Sequence, residues 1–281
     1  MMVRPLPPVL VVDLFPLERA RLIDFCALLS PQEWARDTVC PGWSVKDIAG
    51  HLLGDDIGKL SHQRDGHANP LAAGLDLDDW TTLVEFINRQ NGLWVDAMRR
   101  VSPRLLLELL RITGQEIHRL FQSLDLFALG GAVNWAGPQP APVWLDVARE
   151  YTERWLHQQQ IRDALGDPGL KEPSLFAPVL AAFVRALPRT FRDSPAPSGT
   201  IVRLIIDGPS GGSWDLARDE QHWVLGQAGE DRPQAMTRLD EDTAWRVFTK
   251  GLTPEQARRK AVLEGDLILA AKVLETVSIL A

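Results

Sequence analysis

The chain holds only two cysteines, Cys26 and Cys40, among its 281 residues. That is too few for a disulfide framework, and Cys40, followed by Pro41 and Gly42, has no second cysteine nearby to complete a redox pair. A reducing, cytoplasmic setting fits this usage. An excess of positive charge is also missing. Thirty basic residues against 37 acidic ones give a formal charge of −7, which argues against nucleic-acid phosphates or an anionic membrane as the main partner. Nor is there a long apolar run. The stretch from Val9 to Phe15 is interrupted by Asp13 and set among Pro5, Pro7, Pro8 and Pro16, so neither an export signal nor a membrane anchor is expected. Internal repeats and low-complexity segments are absent too. What remains is an ordinary globular balance, 45% apolar and 24% charged, able to bury a core without covalent help. At roughly 150 residues per domain the length predicts about two domains.

Helical periodicity governs the first part of the chain. Leu17 to Leu29 has apolar positions at helical spacing and stops at Ser30-Pro31. After the loop Thr38-Val-Cys-Pro-Gly-Trp43, Ser44 and Asp47 have capping-box spacing, predicting a helix to about Asp65. Asp79 to Val101 and Pro103 to Leu124 follow in tandem, with a kink or a short break expected at Ser102-Pro103. A loop rich in glycine and proline, Phe127 to Pro142, leads to a further helix from Val143 to Ala164. With the tandem pair taken as one bent helix, four long helical segments joined by loops describe a four-helix bundle. Beyond Asp167 the texture changes. A helix over Glu172 to Leu187 precedes strand-like segments at Thr200 to Asp207, Ser213 to Ala217 and Gln221 to Leu225. Helix starts follow at Asp240, at Thr253-Pro-Glu-Gln256 and near Asp266. The fold class expected is therefore multi-domain, a helical bundle over 1–168 and a small α+β domain over 169–281.

The sharpest chemical feature is Glu153-Arg-Trp-Leu-His157, because residues four apart share a helix face and can offer a carboxylate oxygen and an imidazole nitrogen to one ion. His51 supplies a third donor from another helix, as bundle metal sites require. Its plain alternative is a half-buried histidine satisfied by hydrogen bonds. Asp55, one turn beyond His51, is either a fourth ligand or the partner of Lys59 in an ordinary ion pair. Two imidazoles and one carboxylate would leave a tetrahedral divalent ion, with zinc the one expected, an open position, which is the catalytic rather than the structural arrangement.

These residues carry a resemblance. The segment Cys40-Pro-Gly-Trp-Ser-Val-Lys-Asp-Ile-Ala-Gly-His51-Leu, with Arg149-Glu-Tyr-Thr-Glu153-Arg-Trp-Leu-His157 through Asp163, resembles the mycothiol-dependent maleylpyruvate isomerase family. Arg246-Val-Phe-Thr-Lys-Gly-Leu and Val262-Leu-Glu-Gly-Asp266 look like that family's C-terminal domain. The resemblance implies a DinB-like four-helix bundle followed by a sterol-carrier-like α+β domain, and it places the metal ligands on His51, Glu153 and His157. It also implies a low-molecular-weight thiol such as mycothiol as cofactor and a small-molecule substrate. A thiolate adds reversibly to an activated double bond, so that rotation and elimination convert cis to trans, and release of the adduct would instead give S-transfer. Cationic groups for a dicarboxylate are sought in the C-terminal half at Arg246, Arg258 and Arg259, each of which is otherwise a solvated surface charge.

Two rivals accompany this reading. One is a non-catalytic small-molecule-binding protein with a structural or vestigial metal site. The other is a metal-dependent hydrolase, which needs a base that is not a ligand, with Asp55 or Asp56 as the first suspects. Cys40 has no adjacent cationic cluster to activate it and reads as a packing residue, as do the ten tryptophans, Trp43, Trp144 and Trp155 among them.

Overall fold

A computed structural model describes residues 3–77 and 79–279; the ends of the two expected domains, at 1 and 281, lie outside them. The elements run α1 (Phe15–Cys26), α2 (Pro31–Trp34), α3 (Val45–Lys59), α4 (Trp80–Met98), α5 (Pro103–Gln122), β1 (Leu129–Ala132), β2 (Pro140–Pro142) and α6 (Val143–Ala164). They continue with α7 (Pro173–Phe183), α8 (Leu187–Phe191), β3 (Ile201–Asp207), β4 (Gly212–Arg218), β5 (Trp223–Gln227), β6 (Ala235–Asp240), α9 (Glu241–Phe248), α10 (Pro254–Lys260), β7 (Val262–Gly265) and α11 (Leu267–Lys272). A helical N-terminal region is thus followed by a sheet-containing C-terminal region. Two compact units form, and they interleave in sequence. The helical unit takes Val11–Asp125 and Glu153–Leu170, and the sheet unit takes residues 3–10, 126–152 and 171–279.

In the helical unit, α3 begins where its capping box dictates. The Asp47 N–H donates to Ser44 Oγ, and Ser44 N–H donates to Asp47 Oδ2 at 3.0 Å. After Lys59 the helix continues as a π turn over Leu60–Arg64. The tandem pattern from Asp79 onward resolves into two helices with a break between them, because Ser102 caps α5 and Pro103 takes its first position. The apolar faces of α1, α3 and α5 meet in a core of Leu22, Ile48, Leu52, Leu53, Leu106 and Leu110, joined by Ile161 of α6. At about 1.5–3 kcal/mol for each fully buried large aliphatic side chain, this face stabilises the bundle more than helix propensity does.

The α3–α4 contact depends on small residues. Trp94 Nε1 donates to Gly50 O at 2.8 Å, and a Cβ placed on Gly54 would lie 2.7 Å from the Trp94 ring. Gly54→Ala is therefore expected to destabilise the protein by about 1–3 kcal/mol through overpacking, outweighing the roughly 1 kcal/mol that alanine gains in helix propensity. Denaturant unfolding checks this. No loss of stability would mean that Trp94 can turn aside.

In the sheet unit the strand order is β5-β4-β3-β6-β7, with β3 parallel to β6 and the other neighbours antiparallel. Three strands match sequence expectation. β6 and β7 do not, nor do β1 and β2, which pair antiparallel within the stretch expected to be a loop: β6 buries Ala235, Thr237 and Leu239 without a β-branched apolar run, and β7 is only four residues long. Asp240, Thr253 and Asp266 cap α9, α10 and α11 as their spacing predicts. The helical run Pro173–Phe191 is apolar and long enough to cross a membrane by composition, yet 56% of it is buried inside the protein, as befits a core helix.

Candidate metal centre

All four groups of the candidate centre belong to the helical unit, two from α3 and two from α6. His51 and Asp55 stand four apart on α3, and Glu153 and His157 stand four apart on α6, so each helix presents one imidazole and one carboxylate on one face. His51 Nε2 lies 3.1 Å from His157 Nε2 and 3.3 Å from Asp55 Oδ2, while His157 Nε2 lies 3.8 Å from Glu153 Oε2. The two rings meet edge to face with centroids 4.6 Å apart, and Trp43 packs against His51 at 5.2 Å.

Burial, followed by the nearby Arg154 charge, pushes the His51 pKa down to about 4. His157 is likewise lowered to about 4, by burial first and then by His51, against the opposing pull of Asp55 and the Gln160 hydrogen bond. Both rings are therefore neutral at pH 7. His157 Nδ1 faces Gln160 Oε1 at 2.8 Å. An amide oxygen only accepts, so Nδ1 carries the proton and Nε2 presents its lone pair on the side of His51 and Glu153. The Cys40 thiol donates to the same Gln160 oxygen at 3.3 Å, and burial raises its pKa, so it is held as a neutral thiol.

Among the described residues no ready-made cage of three or more His, Cys, Asp or Glu ligands is present. The donor set nevertheless suits a divalent ion. Ligands about 2.0–2.1 Å from a tetrahedral centre are about 3.3–3.4 Å from one another. The 3.1 and 3.3 Å separations are close to that edge, and Glu153 Oε2 stands farther out, 3.8 Å from His157 Nε2.

Beneath these groups lies a buried ion cluster. Asp56, with no exposed side chain, accepts from Arg19 Nη1 at 2.6 Å, Arg19 Nη2 at 3.1 Å, Arg154 Nη2 at 2.9 Å and Thr113 Oγ1 at 2.6 Å. Burial would raise its carboxyl pKa, but the two arginines and these hydrogen bonds outweigh that and hold it below the ordinary range. This corrects the expectation of Asp56 as a general base, since its lone pairs are committed to four donors. Asp55 Oδ2 faces the His51 imidazole at 3.3 Å.

The remaining candidates lie in the sheet unit. Arg246 stacks on Trp245 at 4.2 Å and its Nε donates to Asp242 at 3.0 Å. Arg259 pairs with Glu255 one turn away, and Arg258 is exposed on the same short helix. The sequence reading missed Gln160, which spacing could have found three residues after His157, and the Arg19–Asp56–Thr113–Arg154 cluster, whose members are far apart in the chain and carry no local signal.

The fold and the site together define a helical-bundle protein with an inward-facing pair of imidazoles and carboxylates on two helices. The chain belongs to the mycothiol maleylpyruvate isomerase N-terminal domain family, which matches residues 15–162 and so takes in all four groups. Two uncharacterized proteins of Mycobacterium tuberculosis, from strains CDC 1551 and H37Rv, are each 26% identical over 260 residues, covering 85% of this chain and 92% of theirs. A crystal structure of mycothiol-dependent maleylpyruvate isomerase is similar with a TM-score of 0.51 at 10% identity, covering 84% of this chain and 86% of that one. A histidine-to-alanine mutant of that enzyme gives 0.50 at 11% identity with the same coverage. At such identity the likeness is one of fold.

Proposed function

We propose that this chain is a metal-dependent enzyme that uses a low-molecular-weight thiol, of the mycothiol kind, to isomerise a maleylpyruvate-like cis double bond or, by releasing the thiol adduct, for S-transfer. The observation that carries the reading is the convergence of His51, Asp55, Glu153 and His157 within the region that matches the family. His51, Glu153 and His157 would hold the ion, zinc being the best fit to two imidazoles and a carboxylate, with Asp55 beside them. A divalent ion bound there would supply the Lewis acidity that keeps a thiol deprotonated at neutral pH. The chain's own residues prepare that position. Gln160 fixes the His157 tautomer through Nδ1, Trp43 covers one side of the His51 ring, and burial of both imidazoles keeps bulk water from competing for their nitrogens. The reading includes a division of labour between a metal-binding part, 1–168, and an α+β part, 169–281, that contributes to substrate binding in a cytoplasmic enzyme.

Elemental analysis of the purified protein, repeated for His51→Ala and Glu153→Ala, tests the metal. About one equivalent is expected in the parent and none in the variants. The zinc-loaded protein should then accelerate maleylpyruvate isomerisation or thiol transfer only when a thiol is added. Metal retained in both variants, or no thiol dependence with any acceptor, would favour a non-catalytic binding protein. A narrower expectation concerns Gln160. Gln160→Leu should weaken metal binding by roughly 10–100-fold, the usual cost of losing an outer partner of a histidine ligand. A chelator competition titration reads it, and unchanged affinity would show that the Gln160 contact does not orient His157.

A further inference from the structure

The cluster centred on Asp56 brings the helical unit's main helices to one carboxylate. Arg19 comes from α1, Asp56 from α3, Thr113 from α5 and Arg154 from α6, and their polar atoms meet within 2.6–3.1 Å. Arg19 Nη1 also donates to the Leu110 carbonyl of α5 at 2.7 Å, tying α1 to α5 a second time. The side chains of Arg19, Asp56 and Arg154 are 8%, 0% and 1% exposed, so the cluster is interior.

Its place in the sequence is what gives it meaning. Asp56 directly follows Asp55, and Arg154 directly follows Glu153. The Asp56–Arg154 pair therefore joins α3 to α6 at the residues adjoining the two carboxylates of the candidate centre. A slip of either helix along the other would part Asp56 from Arg154 and His51 from His157 together. Buried ion clusters of this kind seldom stabilise a fold more than apolar side chains of equal volume would, so stability alone does not account for four polar groups in the core. Their best-attested use is to fix register.

We infer that Asp56, with Arg19, Thr113 and Arg154, is a positioning cluster that sets the register of α3 against α6 and thereby holds His51 and Asp55 opposite Glu153 and His157 at ligand spacing. This rests on the metal-binding reading of the site.

The test separates register from stability. In the variant Arg19→Met/Asp56→Leu/Thr113→Val/Arg154→Met the cluster is replaced by apolar side chains of similar size, and its thermal stability and zinc affinity are measured on the full chain, the affinity by competition with a chromophoric chelator. The expected result is a folded protein whose zinc affinity has dropped at least tenfold while its melting temperature stays near the parent's. Should the fourfold variant fail to fold, Thr113→Val alone, which is isosteric and removes one of Asp56's donors, is expected to weaken zinc binding at least threefold. Zinc affinity within twofold of the parent in whichever of the two is folded would overturn the inference and leave the metal site standing. Failure of the parent protein itself to bind zinc would overturn the metal reading, and the inference with it.

Discussion

His157→Ala is expected to remove zinc binding at micromolar metal, with a loss of affinity greater than the roughly 10–100-fold that an outer partner such as Gln160 would cost. The reason lies in where the ring stands. His157 Nε2 is the atom from which the distances to both His51 and Glu153 are measured, 3.1 and 3.8 Å, and its deletion leaves the α6 side of the site with one carboxylate. The fold should survive, because the site lies at the margin of the core formed by Leu52, Leu53 and Ile161 and alanine suits a helix. The measurement is metal content after dialysis together with a chelator titration. Full zinc occupancy in a folded His157→Ala protein would strike His157 from the ligand set and leave His51, Asp55 and Glu153 to be tested as a different one.

Asp56→Ala has the opposite character, a large effect on stability whether or not metal is present. It removes the one interior carboxylate that two guanidinium groups and a hydroxyl share. Breaking a buried pair by removing one partner costs about 3–5 kcal/mol. That is a large share of the roughly 5–15 kcal/mol by which a typical domain is stable. Denaturant unfolding in the presence of chelator gives the value without any contribution from metal. A loss below about 1 kcal/mol would mean that water or a neighbouring carboxylate, Glu18 being the nearest in sequence to Arg19, takes over the charge.

How much of this could be read from the sequence follows from how local each signal is. The helix from Val143 to Ala164 was legible to the residue, since it starts after a proline-rich loop and stops before a glycine. The caps at Ser44, Asp240, Thr253 and Asp266 were legible because a cap is a contact between residues three apart. His51, Glu153 and His157 could be singled out by i, i+4 spacing and by their flanking motifs, and the structure does bring them together. Asp55 carries the same spacing from His51 but was open to a second reading as a helix-surface ion pair. β6 stayed hidden because it lies beside β3 as a parallel partner more than thirty positions on, with alanine and threonine at its inward positions. The Asp56 cluster was hidden for a stronger reason. Its contacts span 37 to 98 positions, and no periodicity within one helix records a partner on another.

The interleaving of the two units has a consequence for the protein's birth on the ribosome. Every segment of the helical unit has been synthesised once Leu170 has been added, so this unit can close while translation continues. The sheet unit cannot. Residues 3–10 and 126–152 emerge before β3, β4, β5 and β6 exist, and they must wait for the strands with which they cluster. During that interval Arg4, whose backbone later bridges Gln227, and the β1–β2 segment are without the rest of their unit. A stalled chain released between Leu170 and Ile201 would carry all the described segments of the helical unit but only a fragment of the sheet unit.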